Sequence, residues 1–175
     1  MVVPVRNEAE NVEPLAREIA AALAGLPAFE IVYVDDGSDD GTHAELVRMR
    51  ACIPQLRHVR HARSCGQSTA ILTGVRSARH PWVATLDGDG QNDPADLPRL
   101  LAALEGADVV SGVRSNRQDS TMRRLSSRIA NGFRRAVLGD PVTDIGCSFK
   151  AYRREVLEGL PMFVGVHRFL PALCF

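Results

Sequence analysis

Residues 82–91, with the sequence WVATLDGDGQ, indicate both the fold and a candidate site. The first five residues are a short apolar run directly after Pro81, as expected for a buried strand. Two carboxylates, Asp87 and Asp89, follow this run with Gly88 between them. Carboxylates at positions i and i+2 can converge on one hard cation where the backbone turns, and the glycines permit that turn. Because open α/β sheets bind ligands at the carboxyl ends of their strands, we predict a divalent metal here that holds a phosphorylated substrate.

The composition is that of one globular domain: 175 residues, of which 45% are hydrophobic and 24% are charged. Residues 1–108 contain 10 basic and 16 acidic side chains, whereas residues 109–175 contain 11 basic and 5 acidic side chains. The net charge is zero. Acidic groups therefore gather with the predicted metal site and basic groups follow it. This balance argues against nucleic acid as the main partner.

Cysteine and histidine usage gives no sign of a metal framework. The four cysteines are widely spaced and form no C-x-x-C pair, so we expect reduced thiols in the cytosol and no structural zinc. The five histidines show no ligand spacing. The longest stretch without charges, residues 64–75, is too short to span a bilayer, and no signal peptide is visible. The chain ends in an apolar phrase at residues 169–175, which leads us to expect that a C-terminal portion is missing.

Strand-like and helix-like segments alternate over residues 2–113, which predicts an α/β fold with a mostly parallel sheet covered by helices. The predicted strands are residues 2–5, 30–34, 56–60, 82–86 and 108–113. The predicted helices are residues 10–23, 42–53, 66–78 and 94–104. We expect Pro14 to lie in the first turn of its helix, where a proline is tolerated. Beyond residue 113 the alternation stops, and residues 122–138 are predicted to form an amphipathic, arginine-rich helix.

A second acidic cluster, VDDGSDDGT at residues 34–42, also follows a predicted strand. We expect Asp39, Asp40 and Thr42 to cap the helix that comes next. The adjacent pair Asp35 and Asp36 needs a different explanation, since neighbouring carboxylates repel unless a cation or a hydrogen-bond donor uses them. At a strand end they can accept hydrogen bonds from a nucleobase or from ribose hydroxyls.

A third polar strand end, VPVRNE at residues 3–8, is weak evidence by itself because a helix-capping loop has the same composition. Parallel strands bring their carboxyl ends to one edge of a sheet. We therefore expect the three polar strand ends to form one site.

These segments resemble the three signatures of the family-2 glycosyltransferases: VPVRNEAENV at residues 3–12, VDDGSDDGT at 34–42 and LDGDGQNDP at 86–94. RSCGQ at residues 63–67 is similar to a linking segment of the family. DIGCSFKAYRRE at residues 144–155 resembles the polyprenyl-phosphate branch, which includes dolichyl-phosphate mannosyltransferase and its bacterial relatives. Many relatives have Gly-Phe where this chain has Ser148-Phe149. The resemblance implies a single catalytic domain over residues 2–170, C-terminally incomplete, with the GT-A nucleotide-sugar-binding α/β fold.

The resemblance also implies roles for individual residues in binding the donor. It assigns the metal, Mg²⁺ or Mn²⁺, to Asp87, Asp89 and Gln91. The metal would bridge the donor diphosphate and neutralise charge on the leaving group. The implied nucleotide-binding residues are Pro4, Val5, Asn7, Glu8, Asp35, Asp36, Asp87 and Asp89, with either Asp35 or Asp36 contacting the nucleoside.

Catalytic roles are implied for Asp144, Arg114 and Arg123. The two arginines match positions that contact phosphates, which suits a bidentate guanidinium, and Arg124 is an alternative to its neighbour Arg123. Asp144 matches the position proposed as catalytic base. A polyprenyl phosphate, however, is largely ionised at neutral pH, since its second pKa is about 6, and it needs little help from a base. In the alternative interpretation Asp144 orients an arginine or the acceptor.

The activity implied by the resemblance is an inverting, metal-dependent transfer of a hexosyl group from a nucleotide diphosphate sugar to a polyprenyl phosphate (undecaprenyl or dolichyl). GDP-mannose and UDP-glucose represent the expected donors. We expect the protein in the cytoplasm, peripheral at the inner face of the cell membrane, with a role in the cell envelope. The helix at residues 122–138 would then place its arginines near lipid headgroups.

Other functions fit parts of the same pattern. A glycosyltransferase with a sugar or hydroxyl acceptor would need a base, which would make Asp144 essential. A non-catalytic sugar-nucleotide-binding remnant would bind the donor without turnover. A phosphoacceptor receiver domain built on Asp35, Asp36, Asp87 and Lys150 fits less well, because the acid pair follows the second strand rather than the first.

Overall fold

The computed structural model describes residues 1–112 and 147–158 of the chain. The strands are β1 (Val2–Val5), β2 (Ile31–Asp35), β3 (Leu56–Arg60), β4 (Trp82–Thr85), β5 (Val109–Ser111) and β6 (Lys150–Arg153). The α-helices are α1 (Ala9–Leu23), α2 (Thr42–Cys52), α3 (Gln67–Ser77), α4 (Leu97–Ala103) and α5 (Arg154–Glu158). Single 3₁₀ turns at Pro94–Asp96 and Leu104–Gly106 flank α4.

The strands form a six-stranded sheet in the order β3-β2-β1-β4-β6-β5. β3, β2, β1 and β4 pair in parallel, whereas β6 lies antiparallel to both β4 and β5. The predicted α/β fold with a mostly parallel sheet is confirmed. β6, a strand of four residues, was not among the predicted strands.

Helices cover both faces of the sheet because side chains of successive strand residues point to opposite sides. Val3 and Val5 of β1 pack on the face that carries α1, α2 and α4. Val2 packs on the other face, together with residues of α3 and α5. α3 lies close to the sheet because Gly74 has no side chain, and a Cβ at this position would overlap Val2 Cγ1.

The strand order reverses between β1 and β4. From β1 the chain adds β2 and β3 on one side, and α3 then carries it back to β4 on the other side of β1. In sheets of this kind, ligands bind in the crevice outside the carboxyl ends of the strands at the point of reversal. The segments that follow β1 and β4 meet at this crevice, and they carry the first and third polar strand ends.

Within residues 1–112 and 147–158, the helices are all too short or too polar to cross a membrane. The helix predicted at residues 122–138 lies outside the described residues.

Pro14 lies in the second turn of α1, because the helix begins at Ala9, so the expectation of a first-turn position is wrong. A proline here cannot donate to the Glu10 carbonyl and its ring crowds that oxygen. Pro14 is exposed, so we expect Pro14→Ala to stabilise the fold, by about 1–3 kcal/mol. Urea unfolding measures the change. Pro98→Ala is the control, since Pro98 occupies the first turn of α4, where a proline is tolerated. Equal changes in the free energy of unfolding for Pro14→Ala and Pro98→Ala would contradict this explanation.

Candidate functional site

An open cleft of about 300 Å³ lies at the carboxyl ends of β1 and β4, where the strand order reverses. Its walls come from the ends of β1, β2 and β4 and from the start of α3. The lining residues are Pro4, Val5, Arg6, Glu8, Asp36, Gln67, Asp87, Gly88 and Asp89. The three polar strand ends identified in the sequence therefore meet at one cleft.

The carboxylates of Asp87 and Asp89 are held at the cleft by a tight turn against β1. Gly88 is buried at the centre of this turn, where a Cβ would overlap Val5 Cγ1 and lie 3.1 Å from the Pro4 carbonyl oxygen. Asp89 is exposed, and its Oδ1 accepts a hydrogen bond of 3.1 Å from the backbone N–H of Gln91. Two carboxylates that this turn holds one residue apart at the cleft are a suitable donor set for Mg²⁺ or Mn²⁺.

Two polar residues of the cleft, Arg6 and Gln67, were missing from the predicted site. Gln67 Nε2 donates a 2.6 Å hydrogen bond to Asp87 Oδ1 and so helps to orient that carboxylate. Gln67 is the first residue of α3. The signal was available in the sequence, because in a β–α–β unit each helix that leads back to a parallel strand begins at the edge where the preceding strand ends. Polar residues at helix starts therefore belong to the same edge as polar strand ends.

Asp36 lies in the cleft wall and accepts hydrogen bonds from the loop at residues 61–66. Its Oδ1 is 2.7 Å from His61 Nδ1 and 2.8 Å from the Cys65 backbone nitrogen. Its Oδ2 accepts 2.8 Å bonds from the Ser64 hydroxyl and the Gly66 N–H. Burial raises the pKa of Asp36, but the four hydrogen bonds together outweigh it and hold the pKa below its usual value.

Asp35 points to a different environment. It is completely buried, its Oδ1 accepts a 2.8 Å bond from the Ser38 N–H, and its Oδ2 lies 3.2 Å from Arg60 Nε. It does not line the cleft. The repulsion expected between the adjacent carboxylates is thus relieved separately, Asp36 by neutral donors and His61, and Asp35 by Arg60.

Asn7 and Glu8 connect the loop after β1 to the loop after β2. Asn7 has a positive φ of 56°, its N–H donates to Ser38 Oγ at 3.0 Å, and its Oδ1 accepts from the Asp39 N–H at 3.1 Å. Glu8 lines the cleft, and its N–H donates to Thr42 Oγ1 at 2.9 Å. Asn7 is not a lining residue.

The expectation that Asp39, Asp40 and Thr42 all cap α2 needs correction. Asp40 Oδ1 accepts from the Thr42 N–H at 2.9 Å, as a cap of α2 would, but Oδ2 accepts from the Ala9 N–H at the start of α1. The Thr42 hydroxyl likewise accepts from Glu8 at the start of α1. These side chains therefore join two helix starts, because both helices begin at the same edge of the sheet.

The remaining predicted site residues divide into two groups. Gln91 is exposed and does not line the cleft, and its backbone supports Asp89 as described above. Arg114, Arg123 and Asp144 lie outside the described residues, as does Arg124.

Asp36 predicts a specific dependence of stability on pH. Because folding lowers the pKa of Asp36, its stabilising contribution is complete above the unfolded carboxyl pKa of about 3.9 and is lost as the pH falls through the native pKa. We expect Asp36→Asn to be less stable by about 2 kcal/mol at pH 7, with a difference that shrinks on acidification. Chemical unfolding of the native chain and the variant between pH 7 and pH 3 measures the difference in the free energy of unfolding and its change with pH. Asp39→Asn, on an exposed neighbour, is the control, and a difference that grows in acid would contradict the explanation.

Sequence comparison matches the profile of glycosyl transferase family 2 to residues 1–160. A dodecaprenyl-phosphate galacturonate synthase from Rhizobium johnstonii is 38% identical over 180 residues, covering 98% of this chain and 52% of that protein. An undecaprenyl-phosphate 4-deoxy-4-formamido-L-arabinose transferase from Edwardsiella ictaluri is 42% identical over 164 residues, covering 91% of this chain and 50% of that protein. The chain spans about half the length of these curated relatives.

Solved structures with the same fold include two glycosyltransferase complexes. A mannosyltransferase from Pyrobaculum calidifontis with GDP-mannose and Mn²⁺ has a TM-score of 0.69 at 25% identity, covering 93% of this chain and 46% of that chain. Glucosyl-3-phosphoglycerate synthase from Mycobacterium tuberculosis, with Mn²⁺ and UDP-glucose, has a TM-score of 0.76 at 24% identity, covering 99% and 65%. These likenesses confirm the GT-A fold. With a profile match over most of its length and this sheet topology, the chain belongs to glycosyl transferase family 2.

Proposed function

We propose that this chain is the catalytic domain of a glycosyltransferase that moves a sugar from a nucleotide diphosphate donor to a polyprenyl phosphate. The observation that carries the proposal is the pair Asp87 and Asp89, held by Gly88 at a cleft where the strand order reverses. The acceptor is supported by the names of the relatives, which contain dodecaprenyl and undecaprenyl phosphate. The same names include galacturonate and a formamido-arabinose, so we widen the expected hexosyl group to a glycosyl group.

Asp87 and Asp89 would hold a Mg²⁺ or Mn²⁺ ion, since hard cations prefer carboxylate oxygens. When bound, the ion supplies positive charge that stabilises the diphosphate leaving group. Gln67 orients Asp87 through its 2.6 Å hydrogen bond. Support for Mn²⁺ comes from the two similar structures, which were solved with that ion. Gln91 would be a further metal contact if its exposed side chain turns towards Asp89.

The nucleoside would occupy the part of the cleft formed by Pro4, Val5, Glu8 and Asp36. Pro4 and Val5 supply apolar surface, whereas Glu8 and Asp36 supply acceptors for ribose hydroxyls or base N–H groups. All four bonding positions of the Asp36 carboxylate are already used by the loop at residues 61–66. A base N–H that binds Asp36 must therefore displace one of these donors.

We propose an inverting displacement at the anomeric carbon. An oxygen of the acceptor phosphate forms a new bond to this carbon while the bond to the donor diphosphate breaks, and the bonding electron pair leaves with the nucleoside diphosphate. The acceptor phosphate is already ionised, so no base is required. Arg114 and Arg123 would bind the phosphates, and positioning with electrostatic stabilisation would supply most of the acceleration. Because the acceptor is a lipid, we place the reaction at the inner face of the cell membrane.

Donor binding is the first test. Calorimetry of UDP-glucose and GDP-mannose, each with and without Mn²⁺, is expected to show binding of one nucleotide class that depends on the metal. Undecaprenyl phosphate is then added with the donor that binds, labelled in the sugar, and the label is expected in the lipid phase. Failure of both donors, and of UDP and GDP themselves, to bind in the presence of Mn²⁺ overturns the proposal. Donor binding without lipid labelling supports the non-catalytic alternative instead.

The choice of acceptor is tested through Asp144. With a polyprenyl phosphate, Asp144→Asn is expected to leave most of the chemical rate intact, because the nucleophile needs no deprotonation. With a hydroxyl acceptor, the same substitution would abolish transfer. Loss of transfer to the phosphate acceptor, with the affinities for donor and acceptor both unchanged, would contradict the base-free mechanism.

A further inference from the structure

We propose that Asp36, His61 and Cys65 form a second metal site, which takes a borderline or soft divalent cation such as Zn²⁺. One ligand atom from each residue, a carboxylate oxygen, an imidazole nitrogen and a thiol sulfur, lies within 4.8 Å of the other two. The cluster borders the same cleft as Asp87 and Asp89, because Asp36 lies in the cleft wall. It shares no residue with that pair.

The histidine of the cluster is already oriented for metal binding. His61 Nδ1 faces Asp36 Oδ1 at 2.7 Å, and its Nε2 lies 2.9 Å from Thr73 Oγ1. Histidines that bind metals usually donate their other ring N–H to an oxygen, which sets the tautomer. In the absence of metal, Nδ1 donates its proton to Asp36; metal binding at Nδ1 would move this proton to Nε2, where Thr73 accepts it, and would leave the Nδ1 lone pair for the ion.

The carboxylate and the thiol are also held in place. Asp36 Oδ2 is fixed by Ser64 and Gly66, which leaves Oδ1 as the ligand atom. The backbone N–H of Cys65 donates to this Oδ1, so the cysteine is tied to the carboxylate through its main chain. The Cys65 thiol is free of any disulfide and exposed to solvent, and it would give up its 3.3 Å hydrogen bond to the Arg63 carbonyl oxygen when it binds an ion.

The donor set determines which cation fits. Zn²⁺ takes thiolate, imidazole and carboxylate ligands in a tetrahedral arrangement, with bonds of about 2.0–2.3 Å. Mg²⁺ and Ca²⁺ prefer oxygen ligands alone. The ion would replace the proton now shared between His61 and Asp36 and would displace the thiol proton, and water would complete the fourth position. The chain therefore presents a hard oxygen site and a softer mixed site on one cleft.

Cobalt tests the proposal, because Co²⁺ bound to a thiolate has a near-ultraviolet charge-transfer absorption that an oxygen-bound Co²⁺ lacks. Titration of the whole chain with Co²⁺ is expected to produce this absorption, and added Zn²⁺ is expected to abolish it. Cys65→Ser is expected to remove it, whereas Cys52→Ser, at another exposed free cysteine, is expected to retain it. Thr73→Val, which keeps all three ligands, is expected to weaken Co²⁺ binding by about 10- to 100-fold.

Other variants separate this site from the donor site. The two proposals share Asp36, which would also face the nucleoside, so a cation bound there would compete with donor binding. The double variant Asp87→Asn/Asp89→Asn is expected to keep the absorption even if it abolishes donor binding, which distinguishes failure of the cobalt site from failure of the donor site. Circular dichroism checks that each variant is folded. Absence of the absorption in the native chain overturns the proposal. An absorption that survives Cys65→Ser also overturns it. The proposal is likewise overturned if neither His61→Gln nor Thr73→Val changes the absorption.

Discussion

Asp89→Asn is expected to lower glycosyl transfer by about 10²–10³-fold while leaving the fold intact. The substitution removes one of the two charges that would hold the metal against the donor diphosphate. Asparagine keeps an oxygen at the same position, so the 3.1 Å bond from the Gln91 N–H, and with it the turn, is preserved. Asp89 is exposed, and we expect the free energy of unfolding to change by no more than about 0.5 kcal/mol.

The matched control for this prediction is Asp96→Asn. Asp96 is exposed, lies on the same segment and does not line the cleft, so the same change of charge is expected to leave transfer unaffected. Two measurements are needed: kcat/KM for transfer to undecaprenyl phosphate, and the affinity for the nucleoside diphosphate with and without Mn²⁺. If Asp89→Asn retains metal-dependent donor affinity, Asp89 is not a metal ligand.

Gly37→Ala is expected to destabilise the fold by about 3 kcal/mol or more, the largest effect on stability that we predict. Gly37 has a φ of +70°, and a Cβ there would lie 2.5 Å from the Arg63 carbonyl carbon and 2.6 Å from the Ser64 nitrogen. These are backbone atoms that cannot rotate away. The loop that contains them is fastened to Asp36 by four hydrogen bonds, so relief of the overlap would also disturb the cleft wall.

Two other glycines separate the steric effect from backbone strain. Gly66 also has a positive φ, +89°, with a ψ of 155° that is nearly confined to glycine, but a Cβ there has no atom within 4 Å, so Gly66→Ala is expected to show backbone strain alone, about 1–3 kcal/mol. Gly106 has neither a positive φ nor a close atom, and Gly106→Ala is expected to be nearly neutral. Urea unfolding of the three variants measures the series. If Gly37→Ala and Gly66→Ala lower the free energy of unfolding equally, the overlap of the Gly37 Cβ with the backbone of Arg63 and Ser64 is relieved without an energetic penalty.

The parallel part of the sheet was predictable because the pattern that indicates each of its strands lies within a few consecutive residues. Short apolar runs that end in glycine or polar residues identified β1 to β5, with ends within two residues of those observed. β6 was missed, since residues 150–153 form a strand only by pairing between β4 and β5, far away in sequence. Pro14 was misplaced although the start of α1 was predicted to within one residue, because residue 14 lies beyond the first turn from either start.

The candidate site was predictable at the level of motifs and not of side-chain direction. Asp87 and Asp89 line the cleft because both follow a strand at the edge where the sheet binds ligands, which a local motif can indicate. The choice between Asp35 and Asp36 stayed open in the sequence. It depends on which face each residue of the strand presents, and on Arg60 and the loop at residues 61–66, which bind one carboxylate each.

The α/β alternation, the acid pair after β4 and the resemblance to family-2 glycosyltransferases could all be inferred from the residues alone, because each depends on residues that are close together in the chain. Three other features become visible only in the folded chain: Gln67 supports Asp87, Asp36 faces the cleft, and His61 and Cys65 converge on Asp36. These contacts arise where the chain crosses back from β3 to β4 over the start of α3. Their distances depend on how the layers pack, which no local pattern of residues records.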